Sequence, residues 1–331
     1  MRMIYALIVG AVVAGCSSHL QTLPPVEADR LARDVASTQA APRWTLRAPL
    51  PAPRFADASA AVNRTLYVAG GLQTTPSCSW SNTLFAYDVP SDSWSTKAPM
   101  PTARAYVMGA GANGMFYAIG GQTSCGAPPL STVEAYNPKT NAWTVKRPMP
   151  AGVLSGGTAV VRGIVYVIGG AGALPGGGYA AWSRVFAYDP KTDTWTEKAP
   201  MPTPRVNLGA TALNGIIYAV GGRNAGALAV NEAFNPVTNT WAPGASLAKV
   251  RQSFAIGSLA GRVIVAGGID DVGTIATAEA YSPQRNAWLP LPSMPVPTSD
   301  TGNGNAVASG AFHAVGGYNP TSGPLTQNQV L

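Results

Sequence analysis

Short runs of alternating or continuous apolar residues recur along the chain, and each run is stopped by two glycines. TLYVAGG, MFYAIGG, IVYVIGG, IIYAVGG, RVIVAGG and AFHAVGG end at the pairs 70/71, 120/121, 169/170, 221/222, 267/268 and 316/317. Such runs predict β-strands. After each of the first five comes an apolar stretch ending in Tyr or Phe, then a turn and a tryptophan. AYDVPSDSW, AYNPKTNAW, AYDPKTDTW, AFNPVTNTW and AYSPQRNAW place Trp94, Trp143, Trp195, Trp241 and Trp288. Asn137-Pro138, Asp189-Pro190 and Asn235-Pro236 start tight turns, because Pro presets φ and Asn or Asp bonds the nearby backbone. Each unit reads as four short strands: one after a loop of the MPTAR type, one ending at the glycines, one ending at the aromatic and one beginning at the tryptophan.

The glycine pairs are spaced by 46 to 52 residues, and the unit resembles the kelch repeat, in six copies over residues 43–331. The resemblance implies an all-β fold, a six-bladed β-propeller with four-stranded antiparallel blades. Its ends are uneven. The last unit stops at TQNQVL without a tryptophan, and Trp44 has no first three strands ahead of it. Residues 43–48 are expected to supply the fourth strand of the C-terminal blade and to close the ring without a free edge. In this reading the glycines permit close backbone approach, and the Trp and Tyr side chains pack blade on blade.

The N-terminus adds an address. Arg2 precedes an apolar run, Ile4 to Ala14, that is too short to span a membrane, which takes about 20 residues. Val13-Ala14-Gly15-Cys16 resembles the lipobox of bacterial lipoprotein signals. The resemblance implies a signal peptide over 1–15, lipidation of Cys16, a tether over 16–42 and the propeller over 43–331. Ser17 rather than Asp after the cysteine implies an outer-membrane anchor facing the periplasm or cell surface. An ordinary signal peptide cut near Gly15 is the plainer alternative. In the tether a brief helix is expected around Ala28 to Val35.

Composition agrees with a turn-rich β protein: 11% charged and 46% hydrophobic residues, with 37 Gly and 29 Pro. The net charge of +7 is scattered at repeat-like positions such as Lys97, Lys146, Arg147 and Lys198. No basic run forms, so a nucleic-acid footprint is missing. His19 and His313 are the two histidines; no metal site and no cofactor is expected.

With Cys16 lipidated, Cys78 and Cys125 remain, in rim loops of neighbouring blades. In an oxidising compartment they are expected to form a disulfide, against the alternative of two separate thiols. Glu134, Glu232 and Glu279 share one repeat position, where the first and third blades carry Phe85 and Phe186, and so read as blade residues. Arg54, Arg104, Arg205 and Arg251 share the loop before strand one, and Val153 and Thr298 replace them in blades three and six. Two positions on are Ala56, Tyr106, Ser155, Asn207, Ser253 and Asp300.

A polar, net-positive mouth follows, in which the guanidinium groups hold a carboxylate or, alternatively, bond loop carbonyls. Trp80 and Trp182 lie in loops on the same rim, where aromatic faces stack a sugar or anchor a partner, unless they only pack their loops. The long AGALPGGGYAAW loop carries Tyr179 and is expected to be mobile, and Asp270 and Asp271 sit across the rim. The leading expectation is an exported lipoprotein that binds a protein or glycan at the loop face and is not an enzyme. The alternative is a periplasmic sugar-directed enzyme similar to the sialic acid (N-acetylneuraminate) epimerases, with Tyr106 or Asp300 moving protons.

Overall fold

A computed structural model describes residues 42–73, 79–301 and 307–331. The expected signal segment, Cys16, the tether helix around Ala28 to Val35, and Cys78 lie outside them. Among the described residues there are six four-stranded antiparallel sheets and no helix. Blade one comprises Ala58–Val62, Thr65–Ala69, Leu84–Asp88 and Ser93–Lys97. Blade two comprises Met108–Ala112, Met115–Ile119, Val133–Asn137 and Ala142–Lys146. Blade three is built from Gly157–Val161, Ile164–Ile168, Val185–Asp189 and Thr194–Lys198. Blade four has Gly209–Leu213, Ile216–Val220, Asn231–Asn235 and Thr240–Gly244. Blade five has Ala255–Leu259, Arg262–Ala266, Ala278–Ser282 and Ala287–Leu291. Blade six joins Val307–Ala308, Ala311–Val315 and Asn328–Val330 to Thr45–Arg47 from the other end of the chain, with Thr45 opposite Val330 and Arg47 opposite Asn328.

The repeated residues hold blade to blade. Each fourth-strand tryptophan donates its indole N–H to a carbonyl of the preceding blade's exit: Trp94 to Ala48, Trp143 to Ala98, Trp195 to Arg147, Trp241 to Ala199 and Trp288 to Ala245, all at 2.7–3.0 Å. Trp44 does the same to Pro292, at 2.7 Å. The turn residue two before the tryptophan adds a second clasp: Asp92 Oδ1 accepts from the Ala48 amide at 2.9 Å and from the Tyr87 hydroxyl at 2.6 Å. Asp92 sits at φ 48°, a left-handed conformation that Asp and Asn tolerate better than most residues.

The seams also stack aromatic rings. Tyr67 meets Tyr136, Tyr117 meets Tyr188 and Tyr218 meets Tyr281, with centroids 5.6–5.9 Å apart. At the seam of blades six and one, His313 takes the second-strand tyrosine's place against Tyr87, at 5.7 Å. It is buried, its Nδ1 lies 3.1 Å from Asn328 Oδ1, and burial lowers its pKa.

The paired glycines have one task each. At Gly120 (φ 65°) a Cβ would lie 2.3 Å from the Val153 carbonyl, on the entry to the next blade. At Gly121 (φ 87°) it would lie 2.6 Å from the Ala105 carbonyl, on the entry to its own blade. Two strands therefore cross the end of the second strand at backbone distance, and only glycine admits both. First strands approach one another as closely around the axis: a Cβ on Gly111 would meet the Ala61 carbonyl at 2.0 Å.

Candidate functional site

The rim is made by the segments that enter each blade. In all six, the entry residue at the arginine position offers its carbonyl to the second glycine of the preceding blade: Gly317 to Arg54, Gly71 to Arg104, Gly121 to Val153, Gly170 to Arg205, Gly222 to Arg251 and Gly268 to Thr298, at 2.6–3.0 Å. The main chain is fixed there whatever side chain it carries.

Those side chains turn into the blades. Arg54, Arg104, Arg205 and Arg251 are at most 1% exposed. Arg104 donates to the Gly120 carbonyl at 2.7 Å and to Glu134 at 2.7 Å. Arg251 donates to the Gly267 and Thr277 carbonyls and to Glu279, and Arg205 to the Ala219 carbonyl, with Glu232 at 3.0 Å. Burial lowers all three guanidinium pKa values, that of Arg205 to about 10, while the facing carboxylates oppose the fall. The groups stay charged at neutral pH and are paired, as buried charges must be. The other carboxylate oxygens are held by Thr102, Thr203 and the Ala248 amide.

The expected positive mouth is thereby corrected. Arg104, Arg205 and Arg251 are cross-braces between a blade's entry and its third strand. Arg54, whose blade has Phe85 in place of the glutamate, lies over that ring at 5.2 Å and donates to the Pro53 carbonyl at 2.9 Å. Blade three is apolar at both positions, Val153 and Phe186. Blade six substitutes a neutral pair, with Gln329 Nε2 donating to Thr298 Oγ1 at 3.0 Å. The two positions change together, which the sequence displays but which emerges only when they are read as a pair.

Two residues past the braces lies a closed belt. Ala56, Tyr106, Ser155, Asn207, Ser253 and Asp300 all have φ between 50° and 55°. Each amide donates to the carbonyl of its counterpart in the preceding blade, Tyr106 to Ala56, Ser155 to Tyr106 and so on around to Ala56 to Asp300, at 2.7–3.1 Å. Six such steps at strand spacing enclose a ring roughly 10 Å across between opposite Cα atoms. A ring of that width leaves no passage for a sugar or peptide segment through the belt.

Above the belt, over blades two to four, opens a cavity of about 560 Å³. Tyr106, Ser155 and Asn207 line it from the belt, and Gln122, Arg223 and Asn224 from the loops after the glycine pairs. Leu154, Ala171, Val206 and the segment Tyr179 to Ala181 give it an apolar side. Gln122 Oε1 is buried with no hydrogen-bond partner among the described residues. Arg223 is exposed, with no ion pair or side-chain hydrogen bond among the described residues. Both follow a glycine pair directly, where the other blades have Leu72, Ala171, Ile269 and Tyr318. That variability was the available signal, and reading the rim by its arginines missed it.

The remaining candidates divide. Tyr106 and Asn207 line the cavity, and Asn207 Nδ2 also donates to Gln252 Oε1 at 3.1 Å. Asp300 belongs to the belt, and burial raises its pKa; burial also raises that of Tyr106, with the Asp300 carboxylate adding to the rise. Trp80 packs edge-on to Tyr106 at 6.4 Å, beside Phe55 and Leu72. Trp182 lies under Gly172, with Arg184 stacked 5.3 Å from its ring, so it packs its own loop. Asp270 Oδ1 accepts from the amides of Val272 and Gly273, which lowers its pKa and ties it to its own turn. The long loop after blade three's glycines is a two-stranded ribbon, Ala171–Ala173 with Tyr179–Ala181.

Asp57 follows the belt, where the other blades carry Val107, Gly156, Leu208, Phe254 and Thr301. It is fully buried, neither carboxylate oxygen has a hydrogen-bond partner among the described residues, and burial pushes its pKa up to about 7 against the pull of Arg54. Cys125 is disulfide-bonded, while Cys78, its expected partner, lies outside the described residues. A second crevice, of about 660 Å³, is lined by Arg147, Pro148, Pro150, Asp193, Thr194 and Trp195. Its main polar groups are already used: Asp193 accepts from the Arg147 amide, and Trp195 donates to the Arg147 carbonyl. The rim cavity is the better candidate site.

Known proteins share this architecture. Residues 34–233 match the family model of the Attractin/LZTR1 β-propeller, and residues 251–295 match the kelch motif. Kelch-like ECH-associated protein 1B of Danio rerio is 33% identical over 99 residues, 28% of this chain and 17% of that protein. Kelch-like protein 26 of Mus musculus is 35% identical over 92 residues, 28% of this chain and 15% of that protein. The match therefore spans less than a fifth of these relatives' length. The solved structure of YjhT superposes with a TM-score of 0.71 at 16% identity, over 85% of this chain and 95% of that one, a likeness of fold alone. With six glycine pairs, six seam tryptophans and a family model matched over more than half its length, the chain belongs to the kelch-repeat β-propellers.

Proposed function

We propose that this chain is an exported, lipid-anchored propeller that acts as a binding module, taking a protein segment or a glycan in the rim cavity over blades two to four. The observation that carries the reading is where uncommitted polar groups collect. The four arginines are spent inside the blades, whereas Gln122, whose Oε1 has no hydrogen-bond partner among the described residues, and the exposed Arg223 line the cavity. A ligand meets them with a hydrogen-bond donor for Gln122 and an acceptor or anion for Arg223. Kelch propellers are typically protein-interaction modules, which supports a protein partner.

Export and anchoring at Cys16, at the outer membrane facing the periplasm or cell surface, rest on the N-terminal pattern. The disulfide at Cys125, which we assign to pairing with Cys78, accords with an oxidising compartment.

The test is thermal unfolding of the full chain in detergent against neutral and acidic sugars, with crosslinking in its own envelope alongside. A saturable upward shift, or a crosslinked protein, that disappears in Arg223→Ala supports the reading. Binding that is indifferent to Arg223→Ala and Gln122→Ala refutes it.

A second reading, a periplasmic sugar-directed enzyme similar to the sialic acid epimerases, is favoured by one observation: Asp300 and Tyr106 flank Ala56 in the belt, and burial raises the pKa of both. These two groups would then move the proton. Turnover of an acidic sugar that Asp300→Asn abolishes would replace the binding reading with this one.

A further inference from the structure

One wall of the cavity is borrowed from a neighbouring blade's support. The ribbon Ala171–Ala173/Tyr179–Ala181 springs from blade three, and Tyr179, Ala180 and Ala181 line the cavity. Its base is seated: Gly172 lies flat on the indole of Trp182, so closely that a Cβ would fall 1.7 Å from Trp182 Cζ2. Its tip is not. Gly176, Gly177 and Gly178 are all left-handed, with nothing within 4 Å of where a Cβ would stand.

Between base and tip, the hydrogen bond to another blade among the described residues is that of the Tyr179 hydroxyl, which donates to the Ala127 carbonyl at 2.5 Å. Ala127 belongs to blade two's rim loop, in which its amide donates to the Ser124 carbonyl at 3.1 Å, closing a tight turn around Cys125 and Gly126. Cys125 within that turn is disulfide-bonded. The same loop begins at Gln122, on the cavity wall.

We infer that the ribbon is a strap across the blade-two side of the cavity, held closed by the Tyr179–Ala127 bond, and that the disulfide at Cys125 sets the strap by fixing the turn that presents the Ala127 carbonyl. With its hydroxyl engaged, Tyr179 offers a ligand its ring. The cavity is then apolar on the strap side and polar toward blade four, which suits a ligand with one apolar face. The consequence for binding rests on the function proposed above; the strap itself does not.

Hydrogen exchange of the full chain, read in peptides covering residues 171–181, tests the strap without any ligand. Loss of one hydrogen bond worth about 1 kcal/mol corresponds to roughly fivefold faster opening. Tyr179→Phe is expected to speed exchange about fivefold. Reduction of the wild type by a phosphine is expected to match it and to add nothing to Tyr179→Phe. Exchange of Ala255–Leu259 in blade five reports that the ring is intact, and if the reductant speeds it too, Cys125→Ser replaces that arm. Unchanged exchange in Tyr179→Phe overturns the tether. Faster exchange in Tyr179→Phe with no effect of reduction or of Cys125→Ser overturns the disulfide's part. A cavity that binds no ligand leaves either result standing, so the two failures are distinguishable.

Discussion

Arg104 and Tyr106 are two residues apart on one entry segment and belong to different worlds. Arg104 turns inward to Glu134 and to backbone carbonyls, in a role that recurs around the ring. Tyr106 turns to the mouth, where its counterparts are Ala56, Ser155, Asn207, Ser253 and Asp300. What repeats from blade to blade builds the propeller; what differs from blade to blade lines the rim cavity, at Tyr106, Ser155 and Asn207. An internal repeat thus carries its own control experiment, since five further copies show which side chains the architecture needs.

The comparison breaks most visibly at the braces. Glu134→Phe leaves Arg104 buried without a counter-charge and is expected to cost about 3–5 kcal/mol in urea unfolding. Blade three tolerates Val153 with Phe186 at these two positions, so Arg104→Val with Glu134→Phe is expected to recover most of the loss.

Asp57 is the exception among the repeated positions, a carboxyl where the other blades carry Val107, Gly156, Leu208, Phe254 and the neutral Thr301. Its folded pKa, about 7, lies above its unfolded value, so the native state keeps the proton longer. Stability therefore falls as pH rises from about 4 to 7 and is level above that window, by at most about 4 kcal/mol. Thermal unfolding across this range should show a slope that Asp57→Asn removes, the two proteins converging near pH 4.

Smaller effects sharpen the same contrast. Trp195→Phe removes the indole donor to Arg147 but keeps a ring, and is expected to cost about 1 kcal/mol. Ala56→Gly relieves a left-handed alanine in the belt and is expected to gain about 0.5–1 kcal/mol. Both are read from urea midpoints.

How far the sequence reveals all this depends on whether a task demands a residue type. Two crossing backbones require Gly120 and Gly121, and an indole N–H reaching a neighbour's carbonyl requires Trp195, so the blades were legible. The braces were half legible: Arg104, Arg205 and Arg251 and Glu134, Glu232 and Glu279 were each visible as a repeat position, but their partnership is a contact, not a pattern. The belt was hidden, because main-chain atoms make it and six positions share one φ while carrying Ala, Tyr, Ser, Asn and Asp. Arg223 and Gln122 are legible only by contrast: nothing in the repeat asks for them, and the position after the glycine pair varies from blade to blade.

The most direct measurement is a single urea series on Arg104→Val and Arg223→Ala. The account predicts a loss of about 3–5 kcal/mol for the buried brace and a change within about 0.5 kcal/mol for the rim arginine. Equal losses at the two sites would make the rim structural as well and would contradict the division between what repeats and what varies.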